Sequence, residues 1–207
     1  MQSLKLRFIT ALTYSAAFAA AESCSGCNTF PASWNEFSSS FKQPEPPTVK
    51  ASFEASFIQH KWDESVSHIT AGYIVNSPSQ HFVRADQAEG GQLSSSFFNY
   101  ENVTETGLVE NILTTYDPDS KEPTVWRDYV NSNFPLFQED FLISAGASFS
   151  GVVERQFAGR VAAWSIMYQG VIPVTVFVDG CNTLVGYEYF SPGRRTRVTT
   201  QYFNIKA

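Results

Sequence analysis

The chain has 207 residues, a formal charge of −6 at neutral pH and 43% hydrophobic residues. So acidic a chain repels nucleic acid and anionic membrane surfaces unless a local basic patch compensates, and nucleic acid is not expected as a partner. The length suits a single domain with a core of its own, needing neither a metal nor a dense disulfide framework.

The first segment reads Met1-Gln-Ser-Leu-Lys5-Leu-Arg7, then an apolar, small-residue run from Phe8 to Phe18, then Ala19-Ala20-Ala21-Glu22. A basic start, a short apolar stretch and an A-x-A exit form the pattern of a secretory signal peptide. Residues 1–21 are therefore expected to be cleaved near Ala19 or Ala21, and the protein to be secreted and extracellular. Loss of Lys5 and Arg7 takes the formal charge from −6 to −8. No later stretch approaches the roughly 20 apolar residues of a spanning helix, so no transmembrane segment is expected.

Export sets the chemistry of the three cysteines, Cys24, Cys27 and Cys181. An oxidising compartment favours a bridge, and the odd count leaves one thiol over. Cys181 stands in Asp179-Gly180-Cys181-Asn182, a tight turn between strands. A bridge from it to the N-terminal pair, assigned here to Cys27, would staple the ends of the domain; whether Cys24 takes that place stays open. Cys24-Ser-Gly-Cys27 has redox spacing but precedes the domain, which favours a structural role. Asn102-Val103-Thr104 is the single N-x-S/T sequon and a candidate glycan site.

Residues 22–48 read as a lead-in. Trp34, Phe37 and Phe41 have the spacing of one helix face, and Gln43-Pro44-Glu45-Pro46-Pro47 ends it. From residue 49 to 207 the pattern is that of an antiparallel β domain. Phe53, Ala55 and Phe57 alternate with polar residues, as do Ile69, Ala71, Tyr73 and Val75 with smaller ones, and Asp63-Glu64-Ser65 turns between them. Residues 80–84 and 95–100 read as further strands, with Gly90-Gly91 as punctuation and 117–123 as a polar loop. Phe134-Pro-Leu-Phe137 and Phe141-Leu-Ile143 have no clean period and read as an irregular segment or short helix packed over the sheet. Residues 152–157, 161–168, 172–178, 184–190 and 195–205 then follow as a meander of short-turned strands, which makes the fold class mainly β (α+β), with one or two short helices on an antiparallel sheet.

Two of those strands are apolar on both faces. Val161, Ala163 and Met167 oppose Trp164, Ile166 and Tyr168, and 172–178 is almost continuously apolar. A sheet with one wet side alternates more cleanly, so this one is expected to be covered on both sides, by chain or by an apolar ligand. Phe137, Phe141, Phe149, Trp164, Tyr168 and Phe177 are the candidate ligand-binding residues.

Catalytic patterns are missing. Gly146-Ala-Ser148-Phe-Ser150 lacks the second glycine of a nucleophile elbow, and no P-loop, dinucleotide fingerprint or H-E-x-x-H occurs. His60 and His68 would face each other across a hairpin centred on 63–65, where exposed polar pairing is preferred to a metal site or to an unfamiliar catalytic pair. Asp117-x-Asp119-x-Lys121 begins like a calcium loop, but a lysine and Glu122 occupy positions that demand a ligand and a glycine. Arg194-Arg195-x-Arg197 is the one basic cluster and a candidate for an anionic head group. The expectation is a non-enzyme with no cofactor and no metal.

Cys27-x-x-x-Pro31-x-x-Trp34 resembles the start of the secreted ependymin-related and LVN1.2-like proteins. The closing half, Phe177-Val-Asp179 leading to Thr199-Thr-Gln-Tyr-Phe-Asn-Ile205, looks like the end of that broader fold, which is shared with bacterial lipoprotein carriers of the LolA type. The resemblance implies an antiparallel sheet curved into an open half-barrel around helices, with a groove for a lipid or another hydrophobic small molecule. The leading expectation is thus a secreted binding protein holding an apolar ligand on its concave face. The alternative is an extracellular interaction protein without a small ligand, a homodimer linked through the spare cysteine.

Overall fold

The computed structural model describes Cys27 and residues 29–35, 38–63, 66–89, 91–117, 120, 122–168 and 170–207. The expected leader, Cys24, Phe37, Gly90, and parts of the turns at 63–65 and 117–123 lie outside the described residues.

Eleven strands form one sheet in which every neighbouring pair is antiparallel. They are β1 (Phe53–Trp62), β2 (Ser67–Ser77), β3 (Phe82–Glu89), β4 (Gln92–Val103), β5 (Val109–Tyr116), β6 (Thr124–Val130), β7 (Ser148–Arg155), β8 (Gly159–Tyr168), β9 (Ile172–Val178), β10 (Leu184–Ser191) and β11 (Thr196–Lys206). The order across the sheet is β6-β5-β4-β3-β2-β1-β11-β10-β9-β8-β7. The first six strands step outward from the middle to one edge. Residues 131–147 then cross one face as a strap, and the last five strands step back until β11 pairs with β1. The strap contains the only α-helix among the described residues, the four-residue α1 (Phe141–Ser144).

The strap shows that the sheet is curved. Tyr100 on β4 donates its hydroxyl hydrogen to the Phe134 carbonyl at 2.6 Å, and Tyr187 on β10 donates to the adjacent Asn133 carbonyl at 3.1 Å. In a flat sheet these strands, five steps apart, would lie roughly 24 Å from each other at ~4.8 Å per strand. The chain assists this bend with register shifts at Glu54/Ser56, Asn99/Val103, Phe149/Gly151 and Leu184/Gly186. Gly186, at φ 152°, lets the Thr200 carbonyl approach to 2.4 Å from where a Cβ would stand, and no other residue fits there.

Burial follows the two-residue period. In β1, Phe53, Ala55, Phe57 and Gln59 are buried on the concave face, joined by Ile74, Val83, Phe98, Trp164, Val176 and Tyr202 from other strands. From the strap, Phe134, Phe137 and Leu142 complete this core. On the convex face a smaller cluster of Val161, Ala163, Phe177 and Val185 lies under the Arg155 guanidinium, 4.0 Å from the Phe177 ring. The chain itself thus covers both sides of the doubly apolar strands from Val161 to Trp164 and from Val176 to Val178, while Met167 and Tyr168 stay exposed.

Several elements differ from expectation. The described part of the lead-in is a 3-10 turn at Ala32–Asn35 rather than an α-helix, and it places Trp34 against Phe30 and Phe149. Strands β5 and β6 are additions. β6 is exposed at nearly every position and β5 buries Glu110 and Asn111, so neither carries an apolar alternation. In β2 the buried set is Thr70, Ile74 and Asn76, not the apolar series Ile69 to Val75.

The buried Tyr187 and Tyr202, with the partly buried Tyr100, make the fold alkali-sensitive. Burial pushes the Tyr100 phenol up to about 12, and raises Tyr187 and Tyr202 well above the usual phenol range. A phenol whose folded pKa exceeds the unfolded value near 10 favours the folded state while protonated. That stability is complete below pH ~10 and is lost as pH rises from about 10 through 12 and beyond. Ultraviolet titration of the eight tyrosines outside the expected leader is expected to show an early group and a late group that ionises together with loss of circular dichroism. Independent ionisation of all eight near pH ~10 would contradict this.

Candidate functional site

The two ends of the concave face are built differently. At the end where β9 finishes and β10 begins, Asp179 accepts backbone hydrogen bonds from Cys181 and Thr183, both at 2.8 Å, and shapes the turn that presents Cys181. Cys27 and Cys181 stand at disulfide distance with Cα atoms 4.7 Å apart. The lead-in is held there by Lys50 N–H to the Asn182 carbonyl at 2.9 Å and Val49 N–H to the Glu139 carbonyl at 2.8 Å. Trp34 packs edge-on against Phe149 and Trp164, with ring centroids 4.9 and 6.4 Å away. This end is plugged.

At the opposite end the face holds a cavity of about 390 Å³. Register explains its lining. Lys61, Val198, Tyr189, Val174 and Ile166 form one row across β1, β11, β10, β9 and β8. The strap supplies Leu136, Phe137 and Phe141 from above. Tyr168 and Ile172 stand on the outer side, and Tyr168, 48% exposed, sits at the mouth. Its polar lining comes from Lys61, Tyr189, Ser191 and Thr196 on the sheet and from Asn131, Ser132 and Asn133 on the strap; the rest is largely apolar.

The cavity depends on the strap, and the strap is anchored by Asn76. Its side-chain amide donates to the carbonyls of Ala51 at 2.6 Å and Phe137 at 3.0 Å, and its oxygen accepts from Phe137 N–H at 3.1 Å. Asn76 is 1% exposed, so the three bonds are shielded from water.

Of the six candidate ligand-binding residues, the fold brings Phe137, Phe141 and Tyr168 together in the cavity lining. Phe149 and Trp164 lie in the aromatic plug, with Trp164 fully buried. Phe177 faces the convex side under Arg155, because it pairs with Ala163 rather than with an inward-facing residue. The lining residues missed by sequence reading are chiefly Lys61, Ile166, Ile172, Val174 and Tyr189. Their signal was the cross-strand row, which needs the register.

Other expected features resolve differently. His60 pairs with Ile69 and Lys61 with His68, so the two histidines stand on opposite faces. His68 Nε2 lies 4.0 Å from Asp63 Oδ2, and among the described residues no group of acidic, histidine and cysteine side chains is arranged to hold a metal. Arg197 points to the convex face, 3.9 Å from Glu188 and over the Trp62 ring, away from the cavity. Asn102 is exposed at the end of β4, donating to Glu110 at 3.2 Å and accepting from the Tyr129 hydroxyl at 2.9 Å. Hydrogen bonds from Arg127, then from Asn99 and Asn102, hold the Glu110 carboxyl below the usual carboxylate range.

No family model and no curated protein matches the chain. Among solved structures, a DUF1329 family protein from Desulfovibrio piger superimposes with a TM-score of 0.36 at 9% identity, covering 75% of this chain and 85% of its own. Among the described residues no helix is long and apolar enough to cross a membrane.

Proposed function

We propose that this is a secreted, non-enzymatic binding protein that holds a hydrophobic or lipid-like ligand between the strap and the concave face of the sheet. The observation that carries this reading is the cavity of about 390 Å³ with a predominantly apolar wall, a size in the range of small-molecule sites. Export is supported by the leader pattern of residues 1–21 and by the Cys27–Cys181 pairing, since disulfides persist in oxidising compartments. A glycan on the exposed Asn102 belongs to the same reading. The likeness of the two chain ends to ependymin-related and LolA-type carriers agrees with it.

Native mass spectrometry of the protein from culture medium, followed by solvent extraction, tests the proposal; an adduct that disappears on extraction is expected. Ile166→Trp, which fills the apolar wall, is expected to weaken uptake of an environment-sensitive apolar dye by at least about ten-fold while leaving the melting temperature within a few degrees. Unchanged uptake would place the dye elsewhere.

A second reading, an extracellular interaction protein, is supported by the bare β6 edge, where Val125, Trp126 and Tyr129 are exposed. Sedimentation and non-reducing electrophoresis separate the two, since a stable dimer without extractable ligand would favour it.

A further inference from the structure

We infer that the ligand is a single-chain amphiphile with an anionic head, bound with the head on Lys61 and the chain running across β10, β9 and β8 toward Ile166 and Phe141. This rests on the binding function proposed above and specifies its ligand class.

The row that lines the cavity is polar at one end and apolar at the other. Lys61 begins it, the buried Val198 and then Tyr189 follow, and Val174 and Ile166 end it. Four strand steps separate Lys61 from Ile166, roughly 19 Å along the sheet at ~4.8 Å per step, and less across its curve. An extended acyl chain fits that dimension.

Lys61 is only partly exposed, and among the described residues no carboxylate pairs with its ammonium. The neighbouring polar groups are engaged otherwise: Gln59 Nε2 donates to Thr200 Oγ1 at 2.9 Å, and the Asp63 carboxylate lies by His68. A partly exposed ammonium with no carboxylate beside it among the described residues attracts an anion. The hydroxyl-bearing Tyr189, Ser191 and Thr196 line the same wall and give a head group neutral contacts beside the charge. Phe137, Phe141, Ile166, Ile172 and Val174 supply the apolar part of the lining, and Asn131, Ser132 and Asn133 of the strap add polar groups. A neutral hydrocarbon would leave the lysine unmatched, and a cationic amphiphile would meet repulsion.

The test compares decanoate, decanol and decylamine on the full chain by isothermal titration calorimetry. Wild type is expected to bind decanoate about ten-fold more tightly than decanol, the scale of one charge-assisted contact, and decylamine least. Lys61→Met, which keeps the apolar stem, is expected to bring decanoate and decanol within about two-fold of each other, while Lys61→Arg restores the preference. Equal affinities for decanoate and decanol in the wild type, or equal losses for both in Lys61→Met, would overturn the inference and leave the cavity reading intact. If none of the three compounds bound, the proposed function itself would fall. A melting curve for each variant separates loss of the head-group contact from loss of fold.

Discussion

Replacing Cys27 and Cys181 together by serine is expected to lower the unfolding free energy by about 5 kcal/mol, the loop-entropy figure for a cross-link spanning 154 residues. For a domain of this size that corresponds to a fall in melting temperature of roughly 10–20 °C. The effect is large because the bridge joins a segment before the first strand to the turn between β9 and β10. Without it, the lead-in is held by the ring contacts of Trp34 and Phe41 with Phe149 and Trp164 and by the Val49 and Lys50 backbone hydrogen bonds. Thermal denaturation of the wild type and the double variant measures the difference, and reductant added to wild type should reproduce it. A shift of only a degree or two would mean that the lead-in contributes little to the folded state.

Asn76→Leu is expected to cost about 3–5 kcal/mol, although the side chains are close in size, because each buried polar group left without a partner costs about 1–3 kcal/mol. Three backbone groups are stranded: the carbonyls of Ala51 and Phe137 and the Phe137 N–H. The strap should loosen where Phe137 roofs the cavity, so dye uptake should fall along with stability. Urea denaturation gives the first quantity and hydrogen exchange at the Phe137 amide the local one. Retained protection of that amide in the variant would show that the strap is held by its apolar contacts instead.

Asn76 also illustrates how far the sequence could be read. In β2 the apolar residues Ile69, Tyr73 and Val75 point outward, and the inward face carries Thr70, Gly72, Ile74 and Asn76. Hydropathy alone selects the opposite face. The inward phase follows from the hairpin register, which sets Gly72 opposite Phe57, and a Cβ at 72 would lie 2.9 Å from atoms of that aromatic ring. The same one-residue step separates His60 from His68 and places Lys61, not His60, on the concave side. A strand whose two faces differ little in hydropathy leaves its phase to its neighbours.

β5 and β6 were illegible for a related reason. At the sheet edge, β6 buries almost nothing, and β5 buries Glu110 only because Arg127 of β6 neutralises it through hydrogen bonds, Nε to Oε1 at 2.6 Å among them. A carboxylate reads as exposed until its partner is placed beside it. Phe177 and Trp164 show the converse: both were expected to line a ligand site, yet one lies in the convex cluster and the other in the plug.

The local pattern by itself determined that the second half of the chain is an antiparallel meander, that an irregular aromatic segment packs on it, and that Cys181 sits in a turn able to reach the N-terminus. Those features depend on neighbours a few residues apart: a two-residue period, a glycine, an aspartate that accepts its own turn's N–H groups. Only the tertiary structure decided that β1 and β11 join the two halves at the centre of one sheet, that the strap is pinned by Asn76, and that Lys61 faces Ile166 across a cavity. Those relations join residues 61 or more positions apart, and their register is set by packing across the whole curved face.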